Sequence, residues 1–168
     1  MSRCVRPVHR EDIPDLVRLC HEHAQYERAA WNEHDRAAKL EAMLLNSENA
    51  RCWVADGRGE LAGFASAFAE RSTWDAGTYL HLDCLYLRPN YRQRGLGREL
   101  MVEVARWCVH EGLSSMQWQT PRWNRVGAGF YERLGAVGVE KIRYTLPLNQ
   151  CVELVGHDPA RCSKRGLP

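Results

Sequence analysis

No apolar run in this chain approaches the ~20 residues that a helix needs to cross a bilayer. Residues 1–10 carry charge where a secretory leader would have a hydrophobic block. The expectation is a cytoplasmic protein with no membrane partner. Paired cysteines are missing as well: Cys4, Cys20, Cys52, Cys84, Cys108, Cys151 and Cys162 are odd in number and scattered, with no C-x-x-C spacing. Neither a disulfide framework nor a zinc site is encoded, and no metal is expected. Charge of one sign is not in excess either, since a net charge of +2 is too small by itself to imply nucleic-acid binding. There is no internal repeat and no low-complexity linker. The 168 residues suffice for one ordinary domain and not for two substantial ones. That domain is expected over residues 1–148, with residues 149–168 as a tail, either without fixed structure or clasped over a neighbouring surface.

What is present is an alternation of strand and helix signals. Residues 4–8 read as a short extended segment. Ile13, Leu16, Val17, Cys20 and Ala24 then recur at helical spacing up to about Tyr26, and Ala37, Leu40, Met43 and Leu44 carry a second helix over about 35–45. Residues 52–55 and 61–69 flank Asp56-Gly57-Arg58-Gly59, which is hairpin chemistry, and should pair antiparallel. The next strand spans 78–87. It is expected to set Tyr79, His81, Asp83, Leu85 and Leu87 on one face, and Leu80, Leu82, Cys84 and Tyr86 on the other. A helix over 96–111, a strand over 115–120, a helix over 127–134 capped by Gly135, and a closing strand over 142–148 complete the order. The pattern predicts an α+β, three-layer domain with a mixed, mostly antiparallel sheet between helices.

Between the 78–87 strand and the following helix stands Arg92-Gln93-Arg94-Gly95-Leu96-Gly97, followed by Arg98. Two glycines let main-chain N–H groups approach an anion, the helix N-terminus adds partial positive charge, and the arginines add full charges. This is chemistry for a pyrophosphate. A dinucleotide fingerprint would need a third glycine where Leu100 stands and an earlier place in the chain, and a Walker loop would need Gly-Lys-Ser/Thr, which is absent. Arg88, Arg92, Arg94 and Arg98 also fit a solvated basic face or a nucleic-acid patch, although their flanking of the glycine turn favours the pyrophosphate.

The segment 79–136 resembles the core of the GNAT superfamily of N-acetyltransferases. That superfamily places Arg/Gln-x-x-Gly-x-Gly/Ala after a central strand, followed at a distance by segments like Trp123-Asn124, Phe130-Tyr131 and Leu134-Gly135-Ala136. Over roughly residues 6–148 the chain is most similar to the spermidine/spermine and thialysine branch, through Tyr26-Glu27, Ser72-Thr73-Trp74, Tyr91-Arg92 and Trp123-Asn124. The branch carries Leu-Glu-Asp in the central strand, where this chain has Leu82-Asp83-Cys84.

The resemblance implies the GNAT fold, acetyl-CoA as cosubstrate with coenzyme A as product, a small-molecule amine acceptor and a homodimer. It assigns the pyrophosphate to Arg92, Gln93, Arg94, Gly95, Leu96, Gly97 and Arg98. The pantetheine falls to Asn124 and to the main-chain N–H groups of Leu85 and Leu87, which are free if the next strand splays away, and Phe130 belongs to the same cofactor set. Tyr131 becomes the phenol facing the sulfur, and Tyr26, Glu27, Trp74 and His81 become the acceptor side. A lysine-like amine costs about 4.6 kcal/mol to deprotonate at pH 7, so the site needs a proton acceptor. Asp83 is the candidate, as a base acting through water or as a residue that only binds the ammonium group. A peptide or antibiotic amine is the alternative acceptor, and a non-catalytic acetyl-CoA sensor is the alternative class.

Overall fold

A computed structural model describes residues 5–32 and 34–156. The chain forms two compact units, one up to Asn124 and one from Arg125.

In the first unit the order is β1 (Val5–Pro7), a 3-10 turn (Arg10–Asp12), α1 (Ile13–Glu27), α2 (Arg36–Leu45), β2 (Ala50–Asp56), β3 (Leu61–Ser72), β4 (Gly77–Leu87), a 3-10 turn (Pro89–Tyr91), α3 (Leu96–His110) and β5 (Met116–Gln117). The described residues form one mixed sheet in the order β1-β2-β3-β4-β5. Neighbouring strands run antiparallel from β1 to β4, and β4 and β5 are parallel. The expected hairpin between β2 and β3 is present. No helix of the described residues is long and apolar enough to cross a membrane.

Helices cover both faces of the sheet. On one, Leu16 and Leu19 of α1 and Leu40 and Leu44 of α2 bury against Cys52, Val54, Phe64 and Tyr86. On the other, Leu100, Val104 and Trp107 of α3 are buried with Trp53, Leu80 and Leu82, the Trp53 and Trp107 rings lying 6.1 Å apart. The alternating pattern of β2 and β3 supplies both faces because both are covered. Arg6 ties three elements together. Its guanidinium donates to both carboxylate oxygens of Asp12 at 2.7 and 2.9 Å and to both of Asp56 at 3.0 Å.

Strand β4 does not alternate throughout. Ser66 pairs with Cys84 and Ala67 with Leu82, so Asp83 is an extra residue opposite no partner, a β-bulge. Beyond it the faces exchange: Cys84 and Tyr86 join the core under α1, while before it Tyr79 and His81 lie beside Glu70. Leu85 and Leu87 therefore do not share the face of Asp83 as strict alternation required. One inserted residue reverses the parity of everything after it.

The strand expected over 115–120 shrinks to Met116–Gln117, held by Leu80 N–H to Ser115 O at 2.8 Å and Ser114 N–H to Thr78 O at 3.0 Å. Its ladder with β4 covers Leu80 and His81 alone, and Pro121, which has no N–H, stands shortly beyond.

In the second unit α4 (Arg125–Arg133) ends on Gly135 at φ 89°. Ala136 N–H donates to Tyr131 O at 3.1 Å and Gly135 N–H to Glu132 O at 2.9 Å, the paired bonds of a Schellman cap. Residues 142–148 are not a strand. Ile142, Tyr144, Leu146 and Leu148 alternate yet stand exposed, because a strand pattern needs a ladder partner and Pro147 removes one donor. Part of the expected tail is helix α5 (Leu148–Gly156). Leu148, Cys151, Val152 and Val155 recur in it at helical spacing. Residues 157–168 of that tail lie outside the described residues.

Candidate functional site

The end of β4 is the place where main-chain groups are left over. Arg88 N–H donates back to Ala62 O of β3 at 2.9 Å, so by alternation the N–H groups of Leu85 and Leu87 point away from β3. On that side β5 has already ended. The expected open edge is thus in the fold, and Arg92 borders it, its Nε donating to Leu87 O at 2.8 Å.

The turn from Arg92 to Gly97 follows directly. Gln93 at φ 61° and Gly95 at φ 87° are left-handed, and Gly95 is the N-cap of α3 with no side chain bonded there. Arg98 N–H and Glu99 N–H turn back to Gly95 O at 2.9 and 3.1 Å, while the N–H groups of Leu96 and Gly97 precede the first intrahelical acceptor. Gln93, Arg94, Gly95 and Arg98 are exposed and Leu96 is buried as the anchor. Arg94 lies 5.8 Å over the Tyr91 ring. Arg88 stands apart from this group, because Glu22, Glu60 and Leu61 O occupy its guanidinium.

On the α1 side of the β4 bulge the structure assembles an aromatic and acidic cluster. Tyr26 donates to Asn124 Oδ1 at 2.9 Å, and Asn124 Nδ2 donates to Thr120 Oγ1 at 2.9 Å. The Tyr26 ring meets Trp123 edge-on at 5.6 Å, and the Arg92 guanidinium lies 4.9 Å over it and 5.9 Å over Tyr86. Arg28, left-handed at φ 57° where α1 ends, sits 5.2 Å over Trp123. Asp83 is exposed on the bulge and accepts from Cys84 Sγ at 3.5 Å. Burial, with Asp83 alongside, holds the Cys84 thiol well above its ordinary pKa. Burial likewise pushes Cys20 up to about 11 and raises Cys52 and Cys108. These four thiols stay protonated at neutral pH and are poor nucleophiles.

Two residues of this cluster were not singled out from the sequence. Glu70 on β3 accepts from Tyr79 Oη at 2.5 Å and lies 3.9 Å from His81 Nδ1. His23 on α1 stacks on Tyr86 at 5.3 Å, with Nε2 3.6 Å from Glu27 Oε1. Its position was legible, for His23 follows Leu16, Leu19 and Cys20 at helical spacing on the buried stripe of α1. Trp74 is not brought to the cluster: it stands 95% exposed between β3 and β4. In the second unit the Phe130 and Tyr131 rings of α4 lie 5.4 Å apart.

An uncapped glycine turn beside an open strand edge is an acyl-carrier cradle in outline, and residues 16–136 match the family described as acetyltransferase (GNAT) family. The chain belongs to that family. This GNAT protein is 30% identical over 137 residues to the thialysine N-epsilon-acetyltransferase of Caenorhabditis elegans, covering 82% of each chain. It is 27% identical over 147 residues to the Mus musculus enzyme of that name, covering 80% of this chain and 84% of the relative. Among solved structures, an integron cassette protein from the mobile metagenome of Cole Harbour Salt Marsh superposes with a TM-score of 0.72 at 27% identity over 86% of this chain and 90% of its own. AAC(6')-Iy, solved with a bisubstrate analog of CoA and acetylneamine, superposes with a TM-score of 0.70 at 21% identity over 85% and 96%. The GNAT protein described here is an N-acetyltransferase.

Proposed function

We propose that this enzyme transfers the acetyl group of acetyl-CoA to a primary amine of a small cationic molecule, a diamine, polyamine or lysine-like compound, by direct attack in a ternary complex. The observation that carries the acceptor class is the bulge at Asp83, which sets a carboxylate on the α1 side of β4 beside the open edge. Glu27 and Glu70 add acid to that side, and Arg92 there is bonded to Leu87 O. A cationic amine fits an acidic wall, and the relatives named for thialysine acetylation support the same class.

The residues present fit acetyl-CoA. The helix end at Gly95 has no side-chain cap of its own, and such an end takes a phosphate group. Gln93, Arg94, Gly95, Leu96, Gly97 and Arg98 would hold the pyrophosphate, with Arg92 bracing the turn against β4. Leu85 and Leu87 N–H would hold the pantetheine arm, with Asn124 and Phe130 completing the cofactor set. When bound, acetyl-CoA supplies an activated acyl carbon and a sulfur leaving group. Tyr26, Glu27 and His81 surround the acceptor. Asp83 takes the ammonium proton, directly or through a water: the N–H bond breaks and an O–H bond forms. Tyr131 hydrogen-bonds the departing sulfur. The raised thiols of Cys20 and Cys84 are poor nucleophiles, which supports direct attack. The reading extends to a homodimer in a reducing compartment, the cytoplasm, which suits free cysteines.

The test is release of free thiol from acetyl-CoA with a panel of diamines, polyamines, thialysine, other lysine analogues, peptides and aminoglycosides. Small cationic amines should react, and Asp83→Asn should slow the reaction by about 10²-fold or more with acetyl-CoA affinity unchanged. Exclusive turnover of aminoglycosides would favour a second reading, supported by the 25% identity over 117 residues to the aminoglycoside N(6')-acetyltransferase type 1 of Salmonella typhimurium. Acetyl-CoA binding without turnover of any amine would make the protein a sensor.

A further inference from the structure

Glu70 stands near the far end of β3, directly opposite Tyr79 in the β3–β4 ladder, with Phe68 opposite His81. Directly opposed residues share a face of the sheet. Tyr79, His81 and Asp83 follow one another on that face of β4, every second residue up to the bulge. The Tyr79 hydroxyl donates to Glu70 Oε2 at 2.5 Å, and His81 Nδ1 lies 3.9 Å from the same oxygen. Oε1 takes no part in either contact.

Other carboxylates on the α1 side are engaged. Glu22 accepts from Arg88 through both oxygens, and Glu27 Oε1 lies 3.6 Å from His23 Nε2. Glu70 instead faces a phenol and an imidazole, and no lysine or arginine of the described residues forms an ion pair with it. Its side chain is 44% exposed, so a dissolved cation can reach it. A carboxylate oriented by a neutral donor, with one oxygen left over and no cation of its own, is a receptor for an ammonium group.

We propose that Glu70 is a specificity residue of the acetyl transfer: oriented by Tyr79 and flanked by His81, its carboxylate holds the second cationic group of an acceptor whose first amine reacts beside Asp83. The inference rests on the reading of Asp83 as the reacting end of the acceptor site. Two residues of an antiparallel strand advance about 6.8 Å. Glu70 meets the side chains of Tyr79 and His81, which lie two such steps and one such step from Asp83. The two carboxylates are therefore roughly 7–14 Å apart along β4. An acceptor with one charge, or with two charges set close together, meets only one of them. A linear chain with an ammonium at each end meets both.

The test is kcat/KM for linear α,ω-diamines from ethylenediamine upward, each measured beside the monoamine of equal length, in wild type, Glu70→Gln, Glu70→Asp and Asp83→Asn. In wild type the longer diamines should exceed their monoamines by about 10-fold, mostly through KM, and ethylenediamine should not. Glu70→Gln should bring that ratio close to unity. Glu70→Asp draws the carboxylate back by one methylene and should move the best diamine to a longer chain, a shift that a loss of stability would not produce. Asp83→Asn should slow both members of each pair and keep the ratio. No preference in wild type, a ratio unchanged in Glu70→Gln, or an optimum unmoved in Glu70→Asp would overturn the proposal and leave the Asp83 reading standing. Calorimetry of the same diamines, with the protein saturated with coenzyme A, reads the preference without turnover. Glu70-dependent binding with no acetylation would sink the acetylation reading alone. Binding that is absent, or equal in wild type and Glu70→Gln, would overturn the proposal.

Discussion

Tyr131 shows how far residue chemistry alone constrains a role. A phenol near pKa 10 passes its proton to a thiolate near 8.5 only uphill by about 2 kcal/mol, so a hydrogen bond to the developing charge is the more economical assignment. Its main-chain carbonyl is committed to the cap at Gly135 and Ala136, which fixes the residue at the end of α4 whatever the phenol does. Tyr131→Phe keeps the ring and that cap. It should lower kcat by about 10²-fold to 10⁴-fold with acetyl-CoA affinity little changed, and turnover within twofold of wild type would end the role. The glycine turn was legible because it depends on residue type and local spacing, whereas Tyr131 and Asp83 came from the family resemblance. His23 has no partner visible in the sequence and reads there as a surface or core histidine; the helix turns it inward onto Tyr86. Glu70 gave no local signal, since its importance comes from Tyr79 and His81 on another strand.

Strands β3 and β4 carry the proposed site, and near Gly63 their main chains approach closely. A Cβ built there would lie 2.2 Å from Tyr86 O and 2.9 Å from Leu87 Cα, both main-chain atoms that cannot swing aside. Gly63→Ala should therefore force β4 outward where Leu85 and Leu87 present their open edge. The expected cost is about 1–3 kcal/mol of stability together with weakened acetyl-CoA binding, read by thermal unfolding and calorimetry. An unchanged melting temperature would show that the strands can part without consequence. Helices and hairpins were readable from the chain because capping, periodicity and turn glycines are local. The bulge at Asp83 was not, because it is a count of residues against a partner strand. Residues 142–148 have the alternation of a strand and no ladder in the described structure, so periodicity identified a surface and not its partner.

Acid should unfold the molecule in two stages that can be assigned. Arg6 hydrogen-bonds Asp12 and lowers its pKa, and burial lowers that of His23. In both cases the unfolded chain binds more protons than the folded one, so stability falls as pH falls. For His23 the loss begins near pH 6.5 and ends at its lower folded pKa, and for Asp12 it begins near pH 3.9. Melting temperature against pH should show the upper loss in wild type and not in His23→Leu, and the lower one should be blunted in Asp12→Asn. A wild-type curve flat from pH 7 to pH 5 would contradict the upper stage.

Assembly supplies the remaining test. Ile142, Tyr144 and Leu148 are 78%, 86% and 78% exposed, and an alternating apolar edge of that kind is a template for pairing with another chain. The proposed homodimer would use it. Replacing Ile142 and Tyr144 by lysine puts charge along the edge, and should convert a dimer to a monomer in light scattering at micromolar concentration. A wild-type protein that is already monomeric there would remove the dimer from the reading and leave the chemistry at Asp83 unaffected.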